Sequence, residues 1–111
     1  MKLTSGRCRI LLQFNGKKKI EMFDGYYTED NKYFIYHTKY FWYVADTSTG
    51  ISYGNNMGYK MKRDIVKDLD LIIHKFNVYR DKHESDYKKL CASYKRLCKK
   101  FEEEENEKEN N

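Results

Sequence analysis

Apolar positions along the chain follow two periods. From Arg7 to Tyr53 they alternate, with turn residues between the runs; from about Lys60 to Glu105 they recur every three or four residues, with no Gly or Pro interrupting. The first part predicts an antiparallel sheet of four to five strands over about residues 7–54. The second predicts a long helix or a helical pair over about residues 60–105, packed on one face of the sheet. The fold class expected is therefore α+β.

CRILLQFNGKKKIEMF reads as a hairpin with two possible registers. A two-residue Asn15-Gly16 loop would set Leu12 against Lys19 and Ile10 against Glu21. A three-residue Phe14-Asn15-Gly16 loop would set Ile10 against Ile20, Cys8 against Met22 and Arg9 against Glu21. The second separates apolar from charged residues, so it is the register expected from burial on one face. Asp24-Gly25 then reads as a turn and Tyr26–Asn31 as a polar connection. Strands are expected at Lys32–His37 and Tyr40–Asp46 around a Thr38-Lys39 turn. DTSTG (Asp46–Gly50) follows as a turn, Ile51–Tyr53 as a short strand and Gly54–Gly58 as a loop.

Between Tyr33 and Tyr43 stand seven aromatic residues. Alternation puts Tyr33, Ile35 and His37 on one face and Phe34 and Tyr36 on the other; Phe41, Tyr43 and Ala45 oppose Tyr40, Trp42, Val44 and Asp46. One helix-covered face absorbs about half of the rings. The remainder, chiefly among Phe34, Tyr36, Tyr40 and Tyr43, is expected to face outward as a protein-binding or base-stacking surface.

In the helical half the heptad-like series from Ile65 to Phe101 breaks only between His83 and Tyr87. A joint within Arg80–Asp86, with Ser85 as a cap, makes two helical segments the preferred arrangement over one long helix. The first is broad in apolar residues and should cover the sheet. The second has a narrow stripe of Tyr87, Leu90, Tyr94, Leu97 and Phe101, suited to a helix of the same chain or to a homodimer partner.

Charge changes this picture more than overall composition does. The net +5 divides into −5 over Glu102–Asn111 (six Glu, one Lys) and +10 over the preceding residues. A basic ridge of Lys88, Lys89, Lys95, Arg96, Lys99 and Lys100 lies off the apolar stripe and would suit phosphates. The acidic run Glu102, Glu103, Glu104 and Glu105 follows and would suit a basic protein. Residues 1–105 are expected to form one domain, and 106–111 a disordered acidic tail.

Candidate chemistry is sparse. No zinc-protease, nucleophile-elbow or P-loop spacing occurs, and DTSTG has ordinary turn composition. Cys91 and Cys98 are one heptad apart, about 10 Å along a helix, which fits neither a disulfide nor a zinc pair. No catalytic residue, cofactor or metal is expected. With Cys8 the cysteines number three, simplest as reduced thiols, and no apolar run approaches a membrane span. Those features predict a cytoplasmic protein without a membrane partner. The strand-then-helix order over Tyr33–Phe76, with basic and aromatic residues on the sheet, loosely resembles the DNA-arm-binding domains of tyrosine integrases. That resemblance implies fold outline only. The expected function is a non-enzymatic protein-binding module, of the kind formed by small phage or mobile-element inhibitors such as anti-CRISPR proteins. Direct DNA or RNA binding is the alternative, and an oligomerising structural role the weaker one.

Overall fold

The computed structural model describes residues 2–53 and 58–110, so most of the expected GNNMG loop lies outside the described residues. Strands β1 (Thr4–Phe14), β2 (Lys17–Tyr27), β3 (Tyr33–His37) and β4 (Trp42–Asp46) form an antiparallel sheet in the order β1-β2-β3-β4. Helices α1 (Lys62–Lys67), α2 (Leu69–Lys82) and α3 (Glu84–Asn110) follow. The chain is an α+β domain with the long C-terminal helix packed on the sheet.

The sheet buries both of its faces, and this was not expected. One core joins Tyr33, Ile35 and Val44 to Ile65, Leu69 and Ile72 of α1 and α2. The other joins Cys8, Ile10, Phe34, Tyr36 and Ala45, all from strands, with Phe23, Tyr27 and Tyr43 against them. A sheet can bury a face without a helix only by curling over it. Ser52 bridges to Ala45 on one side, while Leu11 N donates to Gly50 O (2.9 Å) from the outer edge of β1. The segment after β4 thus draws the first strand toward the last. Paired glycines permit the bend: Gly6 and Gly25 face each other across β1 and β2. A Cβ on Gly25 would lie 2.2 Å from Ile35 O and 2.8 Å from the Phe34 ring.

Burial on two faces also overturns the expected hairpin register. The pairs are Leu12 with Lys19, Ile10 with Glu21, and Leu11 with Ile20, around a two-residue turn in which Asn15 (φ 49°) and Gly16 (φ 79°) are both left-handed. Ile10 is fully buried on the curled face, whereas Ile20 is buried beside Leu11 on the opposite face. Apolar residues therefore need not share a side. Asp24-Gly25 is likewise no turn: β2 continues through it to Tyr27. By contrast DTSTG is the expected turn, with Gly50 N donating to Asp46 O (2.8 Å).

The helical half divides at His83, inside the expected joint, and Ser85 lies within α3 rather than capping it. It divides again at Asp68, whose carboxylate accepts from Tyr59 Oη at 2.9 Å. α3 continues as helix through residues 106–110. Among the described residues no helix is long and apolar enough to cross a membrane.

Candidate functional site

The expected surface residues part company. Phe34 and Tyr36, expected outside, are core residues at 0% and 2% exposure, because the face they share is closed by the curl. Burial raises the Tyr36 phenol to about 12, partly opposed by its hydrogen bond with Ser52. Tyr43 is half-buried beside Tyr36, and Tyr40 alone stays open, at 69% exposure. All six ridge cations, Lys88, Lys89, Lys95, Arg96, Lys99 and Lys100, are exposed on α3.

The apolar stripe of α3 faces its own sheet. Tyr87 Oη donates to Asp46 Oδ2 (2.8 Å), Tyr94 Oη donates to Arg9 O, and the Arg9 guanidinium lies 5.7 Å from the Phe101 ring centre. Leu90 meets Phe76 and Tyr79 of α2 around a small apolar cavity, and Leu97 is half-buried. Glu102 is drawn into the same contact, its carboxylate 2.6 Å from Arg9 Nη1. Glu103, Glu104 and Glu105 are exposed, with Glu105 paired to Lys108 at 3.6 Å.

Asp46 explains why DTSTG is structural. Its carboxylate is buried and accepts from Ser48 N (2.9 Å) and Tyr87 Oη, with Arg80 Nη2 3.9 Å away. Arg80 also donates to Tyr33 Oη (3.3 Å), tying α2 to the sheet. Burial, then the neighbouring Asp46 carboxylate, raises Tyr87 to about 12. The Asp46 carboxylate and the Tyr87 and Tyr33 hydroxyls are thus engaged in fastening helices to the sheet.

A second surface lies on the helix-bearing face, where neither α2 nor α3 covers it. A concavity of about 470 Å³ is lined by Arg7, Asp24, Tyr26, His37 and Trp42 together with the paired glycines. Register explains the grouping. Arg7 pairs with Asp24, Tyr26 with Ile35, and His37 with Trp42, so these side chains rise from one face of four successive strands. The His37 and Trp42 rings meet edge-on at 4.9 Å between centres. Trp42 is held at the sheet edge by two backbone hydrogen bonds to Tyr59. Lys62 Nζ lies 3.6 Å from the centre of the Tyr26 ring. Arg7 and Asp24 form an open pair at 2.8 Å. The result is a row of rings with cations at its rim. Such rings can stack a planar ligand, and the cations can hold an anion attached to it.

Sequence reasoning missed Arg7, Tyr26, His37 and Trp42 as a group. Alternation sorted the faces within each strand but did not set His37 against Trp42, which needs the β3–β4 register. Reading Asp24-Gly25 as a turn took Tyr26 out of the sheet. Among the described residues no cluster of three or more His, Cys, Asp or Glu could hold a metal ion. No known protein family, curated protein or solved structure matches the chain.

Proposed function

We propose that this chain is a non-enzymatic binding protein for single-stranded nucleic acid. The reading rests on the row Tyr26, His37 and Trp42, set across neighbouring strands in an open concavity with Arg7 and Lys62 beside it. Aromatic rings on a sheet take unstacked bases irrespective of sequence, at about 1–3 kcal/mol per base. The +10 of residues 1–101 supplies attraction for the backbone, and the exposed α3 ridge extends it.

Trp42 is the chain's one tryptophan, so its emission reports on the concavity directly. Titration with a labelled oligothymidylate at about 50 mM salt should give binding and quenching together, with affinity falling linearly on logarithmic axes as salt rises. Absence of binding at that salt overturns the proposal. A second reading, docking on a basic nucleic-acid-handling protein as a small phage or mobile-element inhibitor would, draws on the exposed Glu103, Glu104 and Glu105 and on exposed Tyr40. It predicts no quenching by oligonucleotide.

A further inference from the structure

The β1–β2 hairpin ends in a group that the sheet does not use. Phe14 is 65% exposed although it is apolar and stands beside a tight turn. Lys17 is its cross-strand partner, and Lys19 is the next residue on the same face. Lys18 lies on the opposite face with Gln13. All three lysines are exposed, and none is in an ion pair among the described residues. Lysines on a sheet edge guard against strand pairing, but guarding does not require a phenylalanine held open to water at the turn.

A path connects this tip to the concavity. β3 pairs only with Gly25–Tyr27, so among the described residues no strand runs along the outer edge of β2 from Lys17 to Asp24. Asp24 lines the concavity at one end of that edge, and the lysines stand at the other, Lys18 on the face of Asp24 and Lys17 and Lys19 on the opposite one. The seven residue steps from Lys17 to Asp24 span about 23 Å of extended chain. A single OB-fold unit covers about 4–16 nucleotides of single strand, a length sufficient to reach both ends.

We propose that the hairpin tip is a second contact for the same single strand, which passes around the open edge of β2 so that Lys18 on the concavity's face and Lys17 and Lys19 on the other each reach a phosphate, with Phe14 stacked on a base. This rests on the nucleic-acid reading above. One exposed ring gives little hold on a lipid surface, where stable anchoring needs a second apolar anchor or chain; the charge and the path favour the polyanion.

The test uses the full chain, a Phe14→Ala variant and a Lys17→Gln/Lys18→Gln/Lys19→Gln variant, each with unchanged thermal midpoint because the side chains are exposed. Anisotropy of a labelled oligothymidylate should show Phe14→Ala binding about 5- to 150-fold more weakly. The triple variant should lower the logarithmic salt slope by about 2, from roughly 0.7 per lost phosphate contact. If the parent binds and quenches Trp42 while both variants keep its affinity and slope, the tip contact is overturned and the concavity stands. A parent that binds no oligonucleotide overturns both. Tip-dependent binding to phosphatidylserine vesicles, with oligonucleotide affinity unaltered in the variants, assigns the tip to lipid and also overturns it.

Discussion

β3 and α3 both carry aromatic residues, and the fold treats them in opposite ways. β3 is five residues long and buries four of them, Tyr33 and Ile35 under the helices and Phe34 and Tyr36 under the curl of the sheet. α3 is 27 residues long, and among its described side chains only Tyr94, at 9% exposure, is buried. An aromatic run in a short strand therefore became interior twice over, while an aromatic stripe on a long helix became a thin line of attachment. Stability should accordingly concentrate in the sheet. α3 should open at lower free energy, because few buried apolar contacts hold it.

The largest expected effect tests that contrast directly. Phe34→Ala empties a fully enclosed site and should lower stability by about 3–5 kcal/mol; Phe101→Ala on α3 should cost about 1 kcal/mol or less. Urea midpoints measure both. If Phe34→Ala approaches complete unfolding, Phe34→Leu keeps the loss on scale. Equal costs at the two positions would break the division between a rigid sheet and a lightly held helix.

That division was only half legible in the residues. Change of period located the boundary between sheet and helices, because burial on one helix face has a repeat that strands cannot share. His83 marked the joint because the heptad slipped there. Closure of the sheet was not legible, since it depends on Gly6 meeting Gly25 across the hairpin and on Leu11 reaching Gly50, pairings far apart in the chain. Without closure, one-sided burial favoured the wrong hairpin register and left Phe34 and Tyr36 stranded outside. The candidate site suffered from the same gap. Its cationic ridge on α3 could be read locally, whereas the concavity needed Tyr26 to remain in a strand that Asp24-Gly25 seemed to end.

Closure itself can be probed at its hinge. Gly25→Ala places a methyl group where Ile35 O and the Phe34 ring already stand, and should cost about 1–3 kcal/mol. Amide exchange should quicken across β1–β3 and spare the interior of α3. A neutral substitution would mean that the curl does not depend on this close approach.

The two regions should also separate on raising the pH. Burial keeps the folded-state Tyr36 phenol protonated up to about 12, against 10.0 ordinarily. The unfolded chain releases its proton first, so stability falls between pH 10 and 12; below pH 10 both states are protonated and the group has no effect. The loss by pH 12 is on the order of 2 kcal/mol. Tyr36→Phe removes that part of the slope, and unfolding free energy measured against pH should flatten accordingly. A variant with the parent's slope would place the alkaline sensitivity elsewhere, among Tyr27 and Tyr87, each raised to about 12 by burial first, and Tyr33, Tyr59 and Tyr94, which burial also raises.

The smallest effect sharpens the contrast most, because it acts on α3 alone. Tyr94 Oη donates to Arg9 O at the outer edge of β1, and the ring rests against Gly50. Tyr94→Phe keeps the ring and deletes the donor, leaving a carbonyl whose other partner is a weak thiol contact from Cys8 Sγ at 3.7 Å. The expected cost is about 1 kcal/mol. If α3 is held independently of the sheet core, exchange of its amides should quicken several-fold while β3 amides keep their parental rates. Should helix and strand amides quicken by the same factor, α3 and the sheet open as one unit, and the thin line of attachment is stronger than its burial implies.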